Sequence, residues 1–277
     1  MPIVHAIALG VTQGLSEFLP ISSSGHLILV PWLFGWHDFL RQPHLEKTFD
    51  VALHAGTFVG AVAYFRQDIA AFARAGWRSM RTRSITGDAD RMAWLLLLSA
   101  LPGALIGAAF ETTIEDKLGK IWLIATMLIV FGLVLLVADR LSGYREANDF
   151  RLRDAVIMGA LQAAALQPGV SRSGVTITAG RALRFNRDGA TRISFLMSLP
   201  IIGGAALYKG LKVMKEGGIP AGFGPAFAWG TAASALTGFI AVWFLLRLVR
   251  RQTFTPFVVY RVLAGIAVLS ILASSFR

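Results

Sequence analysis

Cysteine is absent from the 277 residues, which excludes a disulfide framework and a thiolate metal site and leaves the redox compartment undetermined. Acidic residues are scarce, 16 against 27 Lys and Arg, so the formal charge is +11. That excess could suggest nucleic acid. It reads better as cytoplasmic Lys and Arg that set membrane topology, and no nucleic-acid partner is expected. The N-terminus lacks the basic flank of a signal peptide, and its apolar segment carries Gln13 and Glu17. It is therefore expected to be retained as structure. Hydrocarbon is what the chain has in quantity: 55% of residues are hydrophobic and the mean hydropathy is +0.60. Apolar runs of spanning length recur, so the fold class is an all-α polytopic membrane protein surrounded by lipid.

Within this apolar background a polar peptide is written twice. It reads Gly10, Gln13, Ile21, Ser22, Ser24, Gly25, and returns at a constant offset as Gly159, Gln162, Val170, Ser171, Ser173, Gly174. Each copy has a proline on the approach to its serines, Pro20 in the first and Pro168 in the second. Unpaired polar groups cost several kcal/mol in hydrocarbon, so the protein must shield both runs. Full spans are expected at about Phe49–Phe65, Trp94–Phe110, Ile121–Ala138, Ile193–Leu211, Phe227–Leu246 and Phe257–Ala273. Pro2–Leu15 with Gly25–Phe34, and Ala155–Leu166 with Gly174–Leu183, are too short to span and read as two re-entrant hairpins.

Loop charge orients these pieces. Arg66 to Arg91, Arg140 to Arg153, and Arg247, Arg250 and Arg251 mark three loops as cytoplasmic, while Glu111–Lys120 lies outside. The first hairpin then enters from outside and the second from inside. Six transmembrane helices plus two re-entrant helical hairpins make an inverted-topology repeat, a single domain with halves at about 1–148 and 149–277. Lys209, Lys212 and Lys215 sit badly with this topology, near the outer face with only Glu216 beside them. Asp68–Arg83 reads as an interfacial helix on the cytoplasmic leaflet, and most of the tryptophans as aromatic-belt residues.

Glu17 is the one acid well inside a hydrophobic region, and an intramembrane carboxylate is a functional candidate. Gln13, four residues earlier, shares its helical face. A carboxylate and an amide oxygen are hard ligands suited to Mg²⁺ or Ca²⁺. The plainer reading is a buried Glu held by hydroxyls and backbone amides. A serine run before an apolar segment is usually a helix N-cap, which explains one of Ser22, Ser23 and Ser24 but not three. Ser23 and His26 are three apart, permitting a hydroxyl nucleophile with an imidazole base, or a histidine that accepts the transferred group. In the second copy Arg172 lies among Ser171, Ser173, Gly174 and Thr176. Its planar fork, the hydroxyls and a helix N-terminus suit a phosphate. A structural pair with Glu17 is the alternative, and both roles can coexist. Converging tips would supply an acid, a nucleophile, an imidazole and a phosphate clamp, enough for phosphoryl transfer on a lipid-attached phosphate.

Gln13-Gly14-Leu15-Ser16-Glu17-Phe18-Leu19-Pro20, continuing to Ser22-Ser23-Ser24-Gly25-His26, resembles the first signature of the undecaprenyl-diphosphatase (bacitracin-resistance) family. Pro168-Gly169-Val170-Ser171-Arg172-Ser173-Gly174-Val175-Thr176 resembles the second, and Lys47-Thr48-Phe49 and Pro256-Phe257-Val258-Val259-Tyr260-Arg261 extend the match over the whole chain. The resemblance implies a multi-pass enzyme of the bacterial cytoplasmic (inner) membrane. It would hydrolyse undecaprenyl diphosphate to undecaprenyl phosphate and inorganic phosphate, recycling the carrier lipid for peptidoglycan synthesis and conferring bacitracin resistance. It also implies a divalent cation, Mg²⁺ or Ca²⁺, and a site open to the periplasm. Carried over by position, Glu17 would be the metal ligand or acid–base group and Arg172 the diphosphate clamp. Ser23 or His26 would take part in attack, and Ser22, Ser24, Ser171, Ser173 and Thr176 would bind phosphate oxygens. Many members have Glu where this chain has Gln13, which weakens a two-carboxylate metal model, although members with Gln there exist. The nucleophile (Ser23, His26 or water) stays open, as does a homodimer. The competing class is a lipid-phosphate flippase or transporter, because inverted repeats with broken helices are transporter architecture.

Overall fold

The computed structural model describes residues 1–38, 43–215, 218–219 and 222–274. These form eleven α-helices with short 3₁₀ turns and no strand among the described residues: α1 (Ile3–Phe18), α2 (Ser23–Phe34), α3 (Pro43–Tyr64), α4 (Arg66–Thr82), α5 (Asp88–Lys117), α6 (Ile121–Asp139), α7 (Leu152–Gln162), α8 (Arg172–Ala182), α9 (Arg187–Lys215), α10 (Gly224–Leu248) and α11 (Thr255–Ala273). Five of them are long and apolar enough to cross a membrane, namely α6, α9, α10, α11 and the Asp88–Gly107 part of α5. The segment Leu45–Tyr64 meets the same test only together with α4, from which it is bent by 83°. Glu46, Asp50 and His54 on α3 explain why that helix alone is less apolar. The chain is therefore a multi-pass helical membrane protein with five or six spans.

Two breaks in the helices follow from local chemistry. Pro20 disfavours helical geometry at the residue before it, and Leu19 accordingly turns extended (ψ 141°). Gln167 does the same before Pro168 (ψ 117°), after α7 has tightened into the 3₁₀ turn Ala163–Leu166. Each chain restarts on a serine N-cap: Ser22 Oγ accepts from the Gly25 amide and Ser171 Oγ from the Gly174 amide. Both caps adopt positive φ, 79° at Ser22 and 74° at Ser171, a backbone state that costs a side-chain-bearing residue about 1–3 kcal/mol. The strain is duplicated, and so is the peptide that carries it.

Close helix contacts rest on small residues, as expected where lipid offers no hydrophobic drive for helix association. Gly10 faces the Gly230 carbonyl and Gly14 the Ser234 carbonyl, seating α1 on α10. Gly56 and Gly60 seat α3 on the same helix, and Gly159 lets α7 approach the Ser99 carbonyl of α5. Gly265 brings α11 against the Ala125 carbonyl of α6. The main apolar core gathers Phe18, Phe65, Phe150, Phe185, Phe195 and Phe254.

Basic loops converge on one end of the bundle. Arg192 bonds Asp68, Arg250 bonds Asp188, Arg187 bonds Asp139, and Arg91 bonds the Asn148 carbonyl. In the same region Arg145 grips Asp154 through two hydrogen bonds of 3.0 and 2.5 Å, which raise the guanidinium pKa above its ordinary value. Lys209, discordant in the sequence, lies within electrostatic reach of Asp50 on the neighbouring α3. Glu216 lies outside the described residues. Helix α4, amphipathic and carrying the exposed Trp77, branches from the base of α3.

Candidate active site

α1 continues past Gln13 to Phe18, so Gln13 and Glu17 share a face one turn apart. The Gln13 Nε2 donates to Glu17 Oε2 at 3.0 Å. Ser23, first residue of α2, donates its hydroxyl to the same oxygen at 2.5 Å. The other carboxylate oxygen, Oε1, pairs with Arg172 Nη2 from the first turn of α8. Arg172 also reaches the Ser198 carbonyl of α9 at 3.4 Å. Residues from both breaks thus meet on one buried carboxylate, which links Glu17, Ser23 and Arg172 in a single constellation.

His26 takes a different direction. Its Nδ1 faces the Ser22 carbonyl at 2.7 Å, and a carbonyl can only accept, so Nδ1 carries the proton. Nε2 lies 2.6 Å from Tyr260 Oη and accepts from it in the neutral ring. The Tyr260 ring lies nearly parallel to the imidazole, with the centroids 5.6 Å apart. Both histidine nitrogens are committed, and the Ser23 hydroxyl bonds Glu17 and not His26.

The remaining candidates are held largely in scaffold bonds. Ser22 Oγ accepts from Gly169 N at 2.9 Å, stitching the first break to the second. Ser173 Oγ returns the stitch by donating to the Leu19 carbonyl at 3.0 Å, and it also pairs with Ser171 Oγ at 3.2 Å. Thr176 Oγ1 is fully buried against Ser194 Oγ at 2.6 Å and donates to the Arg172 carbonyl. Ser24 is half-buried in the first turn of α2, and its hydroxyl makes no hydrogen bond among the described residues.

His54 and Tyr260 were not singled out from the sequence. His54 donates Nδ1–H to the Asp50 carbonyl at 2.8 Å, which leaves Nε2 facing Glu17 Oε2 at 3.7 Å. The signal was a polar i, i+4 pair, Asp50 and His54, at the start of an otherwise apolar span. Asp50 and Glu46, with Leu9, Leu27 and Asp38, line a cavity of about 120 Å³ towards the end of the bundle opposite the basic loops.

Two protein oxygens suit a hard cation here. Gln13 Oε1 is buried without a hydrogen-bond partner, beside the Glu17 carboxylate that its own amide nitrogen contacts. Among the described residues no group of three His, Asp or Glu is arranged to hold a metal. The donor set therefore fits a cation held by one or two protein oxygens and completed by substrate phosphates, as Mg²⁺ often is.

A family model described as bacitracin resistance protein BacA matches residues 6–267 of the chain. The undecaprenyl-diphosphatase of Pelobacter propionicus is 49% identical over 274 residues, covering 98% of this chain and 98% of its own. That of Geobacter sulfurreducens is 46% identical over 98% of this chain and 99% of its own. That of Nocardioides sp. is 42% identical over 98% and 97%.

Proposed function

The chain belongs to the bacitracin resistance protein family, and on that premise we propose that it hydrolyses undecaprenyl diphosphate to undecaprenyl phosphate and inorganic phosphate. The observation that carries the reading is the Glu17 carboxylate shared between the Ser23 hydroxyl and the Arg172 guanidinium, one from each break. Glu17 is placed to take the Ser23 proton as Oγ attacks the terminal phosphorus. The bond from that phosphorus to the bridging oxygen breaks, and the lipid monophosphate leaves with the electron pair. Water then hydrolyses the phosphoserine, releasing inorganic phosphate and restoring Ser23. Arg172 exchanges its carboxylate for the phosphate oxygens, helped by the amides at the starts of α2 and α8. Gln13 and Glu17 would hold Mg²⁺ or Ca²⁺, which supplies neutralisation of phosphate charge when bound.

The same proposal includes an inverted repeat with halves at about 1–148 and 149–277 and two re-entrant hairpins. Support comes from packing: α1 lies on α10 as α7 lies on α5, and α3 lies on α10 as α9 lies on α5. Exchanging the halves maps this set of contacts onto itself, with α6 on α11 pairing across the exchange. The site then opens towards the periplasmic face of a bacterial inner membrane. The basic loops gathered at the other end support that orientation.

The test is phosphate release from undecaprenyl diphosphate by the purified protein, with Glu17→Ala and Arg172→Ala as controls. Release by the wild type and a loss greater than tenfold in both variants is expected. Movement of labelled lipid phosphate across liposomes with no phosphate release would favour transport and overturn the reading.

A further inference from the structure

The bulkiest of the fully buried side chains is a cation, Arg261 on α11. Its hydrogen bonds all go to backbone carbonyls among the described residues. Nε donates to Leu128 O at 3.0 Å, and Nη1 to Pro20 O at 3.1 Å. Nη2 reaches Gly169 O at 2.9 Å, Val170 O at 3.0 Å and Met127 O at 3.3 Å. Pro20 belongs to the first break, Gly169 and Val170 to the second, and Met127 and Leu128 to α6. One planar fork therefore holds both breaks together against a spanning helix. Lysine, a point charge without that fork, cannot reproduce the pattern.

The surroundings are cut to fit. A Cβ added at Gly132 would lie 3.3 Å from Arg261 Cβ, and one at Gly174 would lie 2.9 Å from Nη1. The described backbone has no cis peptide, so committing the Val170 carbonyl to Arg261 turns the Ser171 amide the opposite way. Ser22 and Ser171, the strained residues, follow shortly after the clamped carbonyls. Tyr260, the preceding residue on α11, holds His26. The charge of Arg261 also lies behind the N-terminus of α8, where it adds to the positive end of the helix dipole.

We infer that Arg261 is a positioning residue for phosphoryl transfer: its guanidinium locks the two serine breaks together so that Ser23, Glu17 and Arg172 meet. It does not touch substrate. This rests on the phosphatase reading above, and its test is separable from that one.

The measurements are kcat and KM for phosphate release, together with hydrogen exchange of segments 19–26 and 167–175, on full-length Arg261→Lys and Gly132→Ala. The first variant keeps the charge and loses the fork; the second shifts the side chain while keeping the guanidinium itself. Arg261→Lys is expected to lower kcat about 30-fold or more, with KM changed less than about threefold. Both segments should exchange faster together while α10 keeps its protection. Gly132→Ala should show the same pattern with a smaller loss, about fivefold. Arg261→Lys within about threefold of wild-type kcat would overturn the inference. Faster exchange in one break only, or throughout the molecule, would overturn it equally, because then no clamp common to both breaks has been removed. Absence of phosphate release from the wild-type protein contradicts the phosphatase reading instead, and retained activity in Glu17→Ala or Arg172→Ala contradicts the site assigned to it, whichever way the Arg261 variants behave.

Discussion

At the residue scale the site is organised by the carboxylate of Glu17. One oxygen is bound to a cation and the other receives two hydrogen bonds, so the group is held ionised and oriented in a place where an unpaired charge would be prohibitive. Removing either partner leaves the other's charge buried without its counter-ion. Glu17→Ala and Arg172→Ala are therefore expected to reduce phosphate release by about 10²–10⁴-fold, the range for losing a general base or a transition-state clamp. Tyr260→Phe removes one hydrogen bond from His26 and leaves the Ser22 contact. It should cost about 1 kcal/mol, a loss of roughly fivefold in rate measured in the same assay. Glu17, Gln13, Ser23 and Arg172 were legible in the sequence because each breaks the apolar pattern of its segment. The direction of His26 was not. Spacing places Ser23 and His26 on one helical face, but the N-cap carbonyl of Ser22 and the distant Tyr260 decide which atoms the imidazole meets. Arg261 was hidden for a related reason: at a span's interior one arginine reads as an anomaly, and its carbonyl partners come from three distant segments.

At the element scale, glycines and buried acids decide how the helices meet. A Cβ at Gly14 would lie 2.7 Å from Ser234 O and 2.8 Å from Gly238 N, both backbone atoms that cannot rotate away. Gly14→Ala is expected to destabilise the α1–α10 contact by about 1–3 kcal/mol, seen as a lowered Tm in detergent. Asp139, at the end of α6, receives Arg187 and the Phe254 amide and lies 3.5 Å from Arg181 Nε. It ties α6, α8, α9 and the α10–α11 connection into one hub. Asp139→Ala leaves two cations without their partner and should lower stability by about 3–5 kcal/mol, checked by the same melting measurement. Helix existence was well marked by hydropathy, and the six expected spans correspond to α3, α5, α6, α9, α10 and α11. The ends were less legible: α5 and α9 run well beyond the apolar stretches that reveal them, because helical hydrogen bonding continues into polar loops without any hydropathic signal.

At the scale of the whole molecule, two strained serine caps from the two copies of the repeated peptide are stitched to each other through Ser22 to Gly169 and Ser173 to Leu19. The repeated peptide supplies the frame, and on the proposed reading the residues that differ between copies supply the chemistry: Glu17 and Ser23 from one, Arg172 from the other. With no native cysteine, single cysteines are clean topology probes. A cysteine at Arg74 or Arg250 should resist an impermeant thiol reagent in intact cells, and one at Trp36 should react. The central claim is that the two breaks form one phosphoryl-transfer site with Ser23 as nucleophile. Its most direct test is a rapid-quench single turnover with undecaprenyl diphosphate labelled in the terminal phosphate, followed by mapping of the labelled residue. The account predicts label on Ser23, absent in Ser23→Ala and in Arg172→Ala. Label on His26, or full turnover in Ser23→Ala, would contradict it.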